Sequence, residues 1–241
     1  MRGMVLAFLA CCAALLGGCG HAPGYPANPI LRPSEVTDFA TLYRENCAAC
    51  HGANGQNGPA MDLANPEYQA LVNDATLRKW ISGGMPGTEM PAFAQSEGGM
   101  LTDAQVNALI SGMRKEWLKP DVFDGAAPPP YAQTQSGDPH RGQITYQSRC
   151  ARCHEPASQQ ITNTDYLALV GNQALRTMIV AGRPDIGQPD WGHLGQGGRT
   201  GAPLSAQDVD NVVAYLASLR NPAQAANDAP MRPAATTSTG R

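Results

Sequence analysis

Apolar positions along this 241-residue chain fall into two sets of helical periods, separated by proline-rich stretches. Val36, Phe39, Leu42 and Tyr43 recur at three- and four-residue spacing, which predicts an amphipathic helix capped by Ser34 or Thr37 and ending at Cys47. Tyr68 to Val72 and Leu77 to Ile81 predict one or two short helices, closed by Gly83-Gly84. Thr102-Asp103-Ala104-Gln105 then has the form of a capping box, and Val106, Leu109, Ile110, Met113 and Trp117 behind it keep the period of a longer helix. The second set opens at Asp138-Pro139, a cap followed by a proline at the first helical position. It closes with Ala206 to Arg220, where Val209, Val212, Val213, Leu216 and Leu219 share a face. The fold class expected is all-α.

The two sets are copies of one unit. Tyr68 to Val72 and Leu77-Arg78 match Tyr166 to Val170 and Leu175-Arg176 at an offset of 98, and Ile81, Gly84, Pro86 and Pro91 fall on Ile179, Gly182, Pro184 and Pro189 without a gap. The last helices match at an offset of 103, which puts Val106 on Val209. Two domains are therefore expected, 34–119 and 138–221, joined by a linker at 120–137 that contains Pro128-Pro129-Pro130.

The ends read differently. Arg2 and the apolar run Met4 to Leu16 have the charged start and short hydrophobic core of a secretory leader, too short for a comfortable membrane span. Leu16-Gly17-Gly18-Cys19 resembles a bacterial lipobox, so 1–18 is expected to be a lipoprotein signal peptide, Cys19 the lipidated anchor and 19–33 a proline-rich tether. The competing reading is ordinary cleavage near Gly18 or Gly20. Residues 222–241, rich in Ala, Pro, Thr and Ser, are expected to be a disordered tail.

A formal charge of −3 argues against nucleic acid as a partner. Aromatic residues make up 6% of the chain, a thin supply for two small cores, which a bulky apolar cofactor in each would supplement. Cysteine spacing names that cofactor. Cys47-Ala-Ala-Cys50-His51 returns as Cys150-Ala-Arg-Cys153-His154, each after a helix. Cys-x-x-Cys-His is the attachment pattern of c-type haem, in which two thiols form thioethers to the porphyrin and the imidazole ligates iron. A structural zinc site or a redox dithiol also uses Cys-x-x-Cys, but neither needs a His after both copies, and paired zinc knuckles lie far closer than 103 residues. Two covalently bound haems are expected.

With these motifs in register, both units resemble class I cytochrome c domains. The resemblance implies first and last helices packed across one another, and a Met on the loop before the last helix as sixth iron ligand. Among Met61, Met85, Met90, Met100 and Met113, the Met90-Pro91-Ala92-Phe93 stretch fits that pattern best, with Met85-Pro86 its competitor. It also implies that the carbonyl of Pro59, shortly after the motif, accepts the His51 ring proton. The second unit departs from the pattern. Gln188 stands where Met90 does and Trp191 where Phe93 does, no Met occurs between Met178 and Met231, and no Gly-Pro follows the motif at the matching place. Its sixth ligand is expected to be the Gln188 amide oxygen, with His193 or an open position as alternatives. Either substitute favours ferric iron more than a thioether does, so the second haem should have the lower potential.

Class I domains commonly pack a Gly of the first helix against an aromatic of the last. The second unit has that pair as Gly142 and Tyr215, and its repeat partners Phe39 and Gly112 form the same pair with the sizes exchanged.

With no catalytic constellation in either unit, the function expected is electron carriage in a respiratory chain at the outer face of the cytoplasmic membrane. The protein would act beside, or as a subunit of, a quinol-oxidising complex or a terminal oxidase or reductase. The alternatives are a haem enzyme reducing peroxide or a nitrogen oxide, and a gas or redox sensor, each using an open second haem.

Overall fold

The computed structural model describes residues 31–155, 160–194 and 202–220. The expected leader, Cys19, most of the tether and the expected tail lie outside these residues. Residues 31–35, with a short 3-10 turn at Pro33–Glu35, belong to one unit, and the described residues from Val36 onward form a second, compact one.

Within that compact unit the first domain comprises α1 (Phe39–Asn46), the single turn α2 (Ala48–His51), α3 (Pro66–Leu71), α4 (Asp74–Gly83) and α5 (Asp103–Trp117). The second domain repeats them as α6 (Pro139–Arg149), α7 (Ala151–His154), α8 (Thr164–Leu169), α9 (Asn172–Ala181) and α10 (Ala206–Ser218). Among the described residues only two isolated β-bridges interrupt helix and loop, and no helix is long and apolar enough to cross a membrane.

Side chains near the helix ends explain where these elements start. Thr102 and Gln105 form the expected capping box, and Asp138 accepts from the His140 and Arg141 amides with Pro139 in the first turn. The start of α1 differs from the sequence reading. Asp38, rather than Ser34 or Thr37, accepts the Thr41 amide at 2.8 Å, so Val36 lies outside the helix. An Asp at this position satisfies an end amide and also places negative charge at the positive end of the helix dipole.

First and last helices cross in each domain as the resemblance implied. A Cβ on Gly112 would lie 2.1 Å from the Phe39 ring, and one on Gly142 would meet the Asn211 carbonyl oxygen at 1.9 Å and Tyr215 Cβ at 2.9 Å. Both size-exchanged pairs are therefore in contact. Tyr43 and Tyr146, at equivalent positions, are 3% and 1% exposed and anchor the aromatic packing beside each crossing. An arginine on α5, and another just past the end of α10, reach the end of the short third helix of their own domain. Arg114 donates to the Gln69 and Val72 carbonyls, and Arg220 to those of Leu167 and Val170, which lie at the offset of 98. These carbonyls close helices of six residues, which leave most of their end groups without intrahelical partners.

The segment read as a linker is built into the structure. Tyr131 is tied to both domains: its hydroxyl accepts from Trp80 Nε1 at 2.8 Å, and its carbonyl accepts from Gln173 Nε2 and Arg176 Nε. Arg176, 2% exposed, also donates to the Pro130 carbonyl and pairs with Asp210, 1% exposed. α3 packs on α9, and Asn65, which caps α3, simultaneously donates from Nδ2 to the Ala181 carbonyl at 2.8 Å. The apolar clusters interlock accordingly: Ala181 belongs to the first core and Leu71 packs on the second.

Candidate haem sites

Helix α1 carries Cys47 to its C-cap, and the single turn α2 then sets Cys47, Cys50 and His51 on one side of the chain. Cys50 is exposed whereas Cys47 is largely enclosed, and burial pushes the Cys47 thiol up to about 12 and the Cys150 thiol up to about 11. Among the described residues no group of three His, Cys, Asp or Glu side chains converges as a metal cage.

The geometry behind the first motif selects one face of His51. Gly52, with φ +81°, turns the chain immediately after it; a Cβ there would lie 1.8 Å from the Gln56 carbonyl oxygen. Tyr43 Oη donates to the Gly52 carbonyl at 2.9 Å and Ala60 N–H to the Cys50 carbonyl at 3.0 Å, fixing both ends of the following loop. The acceptor for the His51 ring is the Met61 carbonyl, 2.7 Å from Nδ1. This corrects the expected role of Pro59. The Ala60-to-Cys50 bond draws the loop across the motif, so that the carbonyl meeting the ring belongs to the residue two positions past the proline. A carbonyl can only accept, so Nδ1 carries the proton and Nε2 keeps its lone pair for a metal. Burial lowers the His51 pKa, against the opposing effect of the Met61 hydrogen bond and with the Arg183 guanidinium adding to the lowering, which favours the neutral, ligating form of the ring.

Beside this loop Asp62 is 2% exposed and its Oδ1 has no hydrogen-bond partner. Burial, then the neighbouring Asp185 carboxylate, raises its pKa to about 6. A raised carboxyl pKa means the folded state holds a proton that the unfolded chain has lost, so this group's contribution falls as pH rises from about 4 through about 6. Asp62→Asn is therefore expected to raise the thermal midpoint at pH 8 and to leave it nearly unchanged at pH 4. Equal shifts at both pH values would contradict the assignment.

On the opposite side of the cavity the two domains build the same turn. Gly84 and Gly182 share φ 72° and ψ −178°, and their pseudo-Cβ positions abut the same backbone atoms of the two repeats. Met85 N–H donates to the Met90 carbonyl at 3.1 Å, and Arg183 N–H to the Gln188 carbonyl at 2.9 Å. Leu101 N–H bonds to Phe93 as Leu204 N–H does to Trp191. Gln188 thus occupies the backbone position of Met90, as the ungapped alignment predicts. Its amide Nε2 donates to the Met178 carbonyl at 2.7 Å. His193 is 64% exposed in its side chain, with Nδ1 2.7 Å from Asp190 Oδ2. Of the first-domain methionines, Met100 is 79% exposed and Met113 lies in the core, while Met61 belongs to the loop on the His51 Nδ1 side. Met85 and Met90 remain, and both line the cavity.

That cavity is continuous, about 2120 Å³ in volume, and is lined by both Cys-x-x-Cys-His motifs as well as by Met90, Gln188, Pro59 and His193. Single-ligand sites are typically about 300–1,000 Å³, so its size suits more than one bulky group. Paired thiols, an adjacent imidazole and mostly apolar walls fit covalently attached haem in each domain.

Comparison with known proteins agrees. Residues 34–111 match the family model described as cytochrome C oxidase, cbb3-type, subunit III, and residues 139–220 match the model for cytochrome c. The chain is a tandem cytochrome c. Its two domains imply two covalently bound c-type haems, and it is related to cbb3 oxidase subunits. Those relatives include the cbb3-type cytochrome c oxidase subunit CcoP of Azospirillum sp., 29% identical over 49% of this chain and 39% of the relative. Another is subunit FixP of Sinorhizobium medicae, 25% identical over 53% and 42% respectively. A shorter match, 40% identical over 29% of this chain and 13% of the relative, is to dihydro-heme d1 dehydrogenase of Pseudomonas aeruginosa. This cytochrome spans less than half the length of each of these relatives. No solved structure matches it.

Proposed function

We propose that this tandem cytochrome relays electrons between a respiratory donor and an oxidase or reductase, passing them internally from one haem to the other. Bound haem supplies an iron that cycles between ferrous and ferric states, one electron at a time. The observation that carries the reading is the single cavity onto which both motifs open. Cys47 and Cys50 would hold the first haem and His51 and Met90 its iron; Cys150, Cys153 and His154 would hold the second, with Gln188 at the sixth position. Cys50 and Cys153 are exposed, so a haem attached to them would be within reach of a redox partner approaching from solvent.

The kinship to cbb3 oxidase subunits supports a place beside, or within, a quinol-oxidising or terminal oxidase complex. Export, lipidation at Cys19 and residence on the outer face of the cytoplasmic membrane complete the proposal. They rest on the leader-like N-terminus and on the fitting of c-type haem outside the bacterial cytoplasm.

Gln188 in the place of Met90 favours a second reading in which the second haem binds an exogenous ligand, as an enzyme or sensor requires. Redox titration with carbon monoxide difference spectra separates the two. The relay predicts two one-electron steps, the lower belonging to the second domain, and no rapid carbon monoxide binding. Rapid binding at the lower-potential haem supports the second reading, and a single transition at one potential contradicts the proposed inequivalence.

A further inference from the structure

We infer that Arg183, held by Asp185, is a positioning residue of the first haem site that is supplied by the second domain. The loop behind His51, residues 57–62, is gripped from across the domain boundary. Arg183 Nη2 donates to the Gly58 carbonyl at 3.1 Å, and Asp185 Oδ2 accepts the Asn57 amide at 2.9 Å. The two side chains lock each other through a fork, Nε to Oδ1 at 2.9 Å and Nη2 to Oδ2 at 2.8 Å. Their side chains are 6% and 0% exposed, so the pair acts in a medium of low dielectric. Asp62 faces the same guanidinium, as does Tyr166.

The clamp holds the start of the loop whose Met61 carbonyl orients His51, and Arg183 lines the shared cavity with His51. It also belongs to the turn that presents Gln188 at the second site, since Arg183 and Gln188 exchange backbone hydrogen bonds of 2.9 Å in both directions. A single turn, 183–188, therefore touches the proximal side of one site and the distal side of the other. Its repeat counterpart in the first domain begins with Met85, an uncharged residue, so this grip is not part of the repeated unit.

A buried positive charge near iron disfavours the ferric form, and a buried negative charge favours it. Opposite substitutions in the clamp should therefore move the first haem in opposite directions. In the full dihaem protein at pH 8, Arg183→Gln is expected to raise the first haem's ferric-to-ferrous ratio at fixed potential about tenfold, a fall of about 59 mV for a one-electron couple. Asp185→Asn is expected to raise the same potential, Arg183→Lys to stay near the parent value, and the second haem to shift less in every variant. Shifts of one sign in both neutral variants, no shift, equal shifts at both haems, or a Lys variant matching the Gln variant would overturn the inference. If Arg183→Gln does not fold, the sign of the Asp185→Asn shift decides alone.

The inference rests on His51 as ligand of the first iron. Failure of that assignment would show separately, as a native first-haem spectrum in His51→Ala; failure of the inference alone leaves that spectrum dependent on His51 while the clamp variants do not move the potential.

Discussion

Arg176→Met is expected to destabilise the protein by about 3–5 kcal/mol in denaturant unfolding, the range for breaking a buried ion pair on one side. Met has a similar length and no charge, so the loss isolates what the guanidinium does. It pairs with Asp210 inside the second domain and also carries the carbonyls of Pro130 and Tyr131, the only segment joining the domains. Asp210 would be left as a buried carboxylate, and the linker would lose its main donors. The double variant Arg176→Met with Asp210→Leu should recover most of the loss, because replacing both partners by apolar groups is close to neutral in many buried pairs. A cost below about 1 kcal/mol for the single variant, the scale of an exposed pair, would contradict this account.

Met90→Ala is expected to abolish the sulfur-to-iron absorption band near the red end of the spectrum while the haem stays attached through Cys47 and Cys50. The first potential should fall on the order of 0.1 V, within the roughly 0.8 V over which axial ligands set haem potentials. A soft thioether favours ferrous iron, and its removal takes that preference away. Met85→Ala should leave the band in place. The structure leaves both residues on the cavity wall, so loss of the band in Met85→Ala instead would reassign the ligand.

Much of the frame was legible because it follows from repetition and period. The helical faces, the capping box at Thr102, the Asp138-Pro139 start and the size-exchanged Gly and aromatic pairs all appear where the two copies of the pattern put them. The equivalence of Gln188 and Met90 was equally readable, because an ungapped alignment constrains backbone position. What the sequence did not disclose depends on backbone carbonyls and on contacts between domains. The Met61 carbonyl could not be told from that of Pro59, since every residue carries the same acceptor and only the path of the loop selects one. Arg176 and Arg183 look like ordinary surface cations, and Asn65 like a local cap; Arg176 is buried against Asp210 and the linker carbonyls, whereas Arg183 and Asn65 find partners across the domain boundary. By composition the linker is a stretch of mixed stiffness with no sign of an anchor, yet Tyr131 is tied at its hydroxyl and its carbonyl. Arg114 and Arg220 escaped notice because they do the same work from positions that differ by 106 rather than 103.

The exchanged Gly and aromatic pairs bear on how two such similar domains in one chain avoid trading parts as they fold. Tandem repeats are prone to domain-swapped misassembly, in which a helix of one copy docks on the other. Here α1 docked on α10 would drive Phe39 into Tyr215, and α6 docked on α5 would leave Gly142 facing Gly112 across a gap. One wrong pairing is overpacked and the other hollow, so each first helix accepts only the last helix of its own copy.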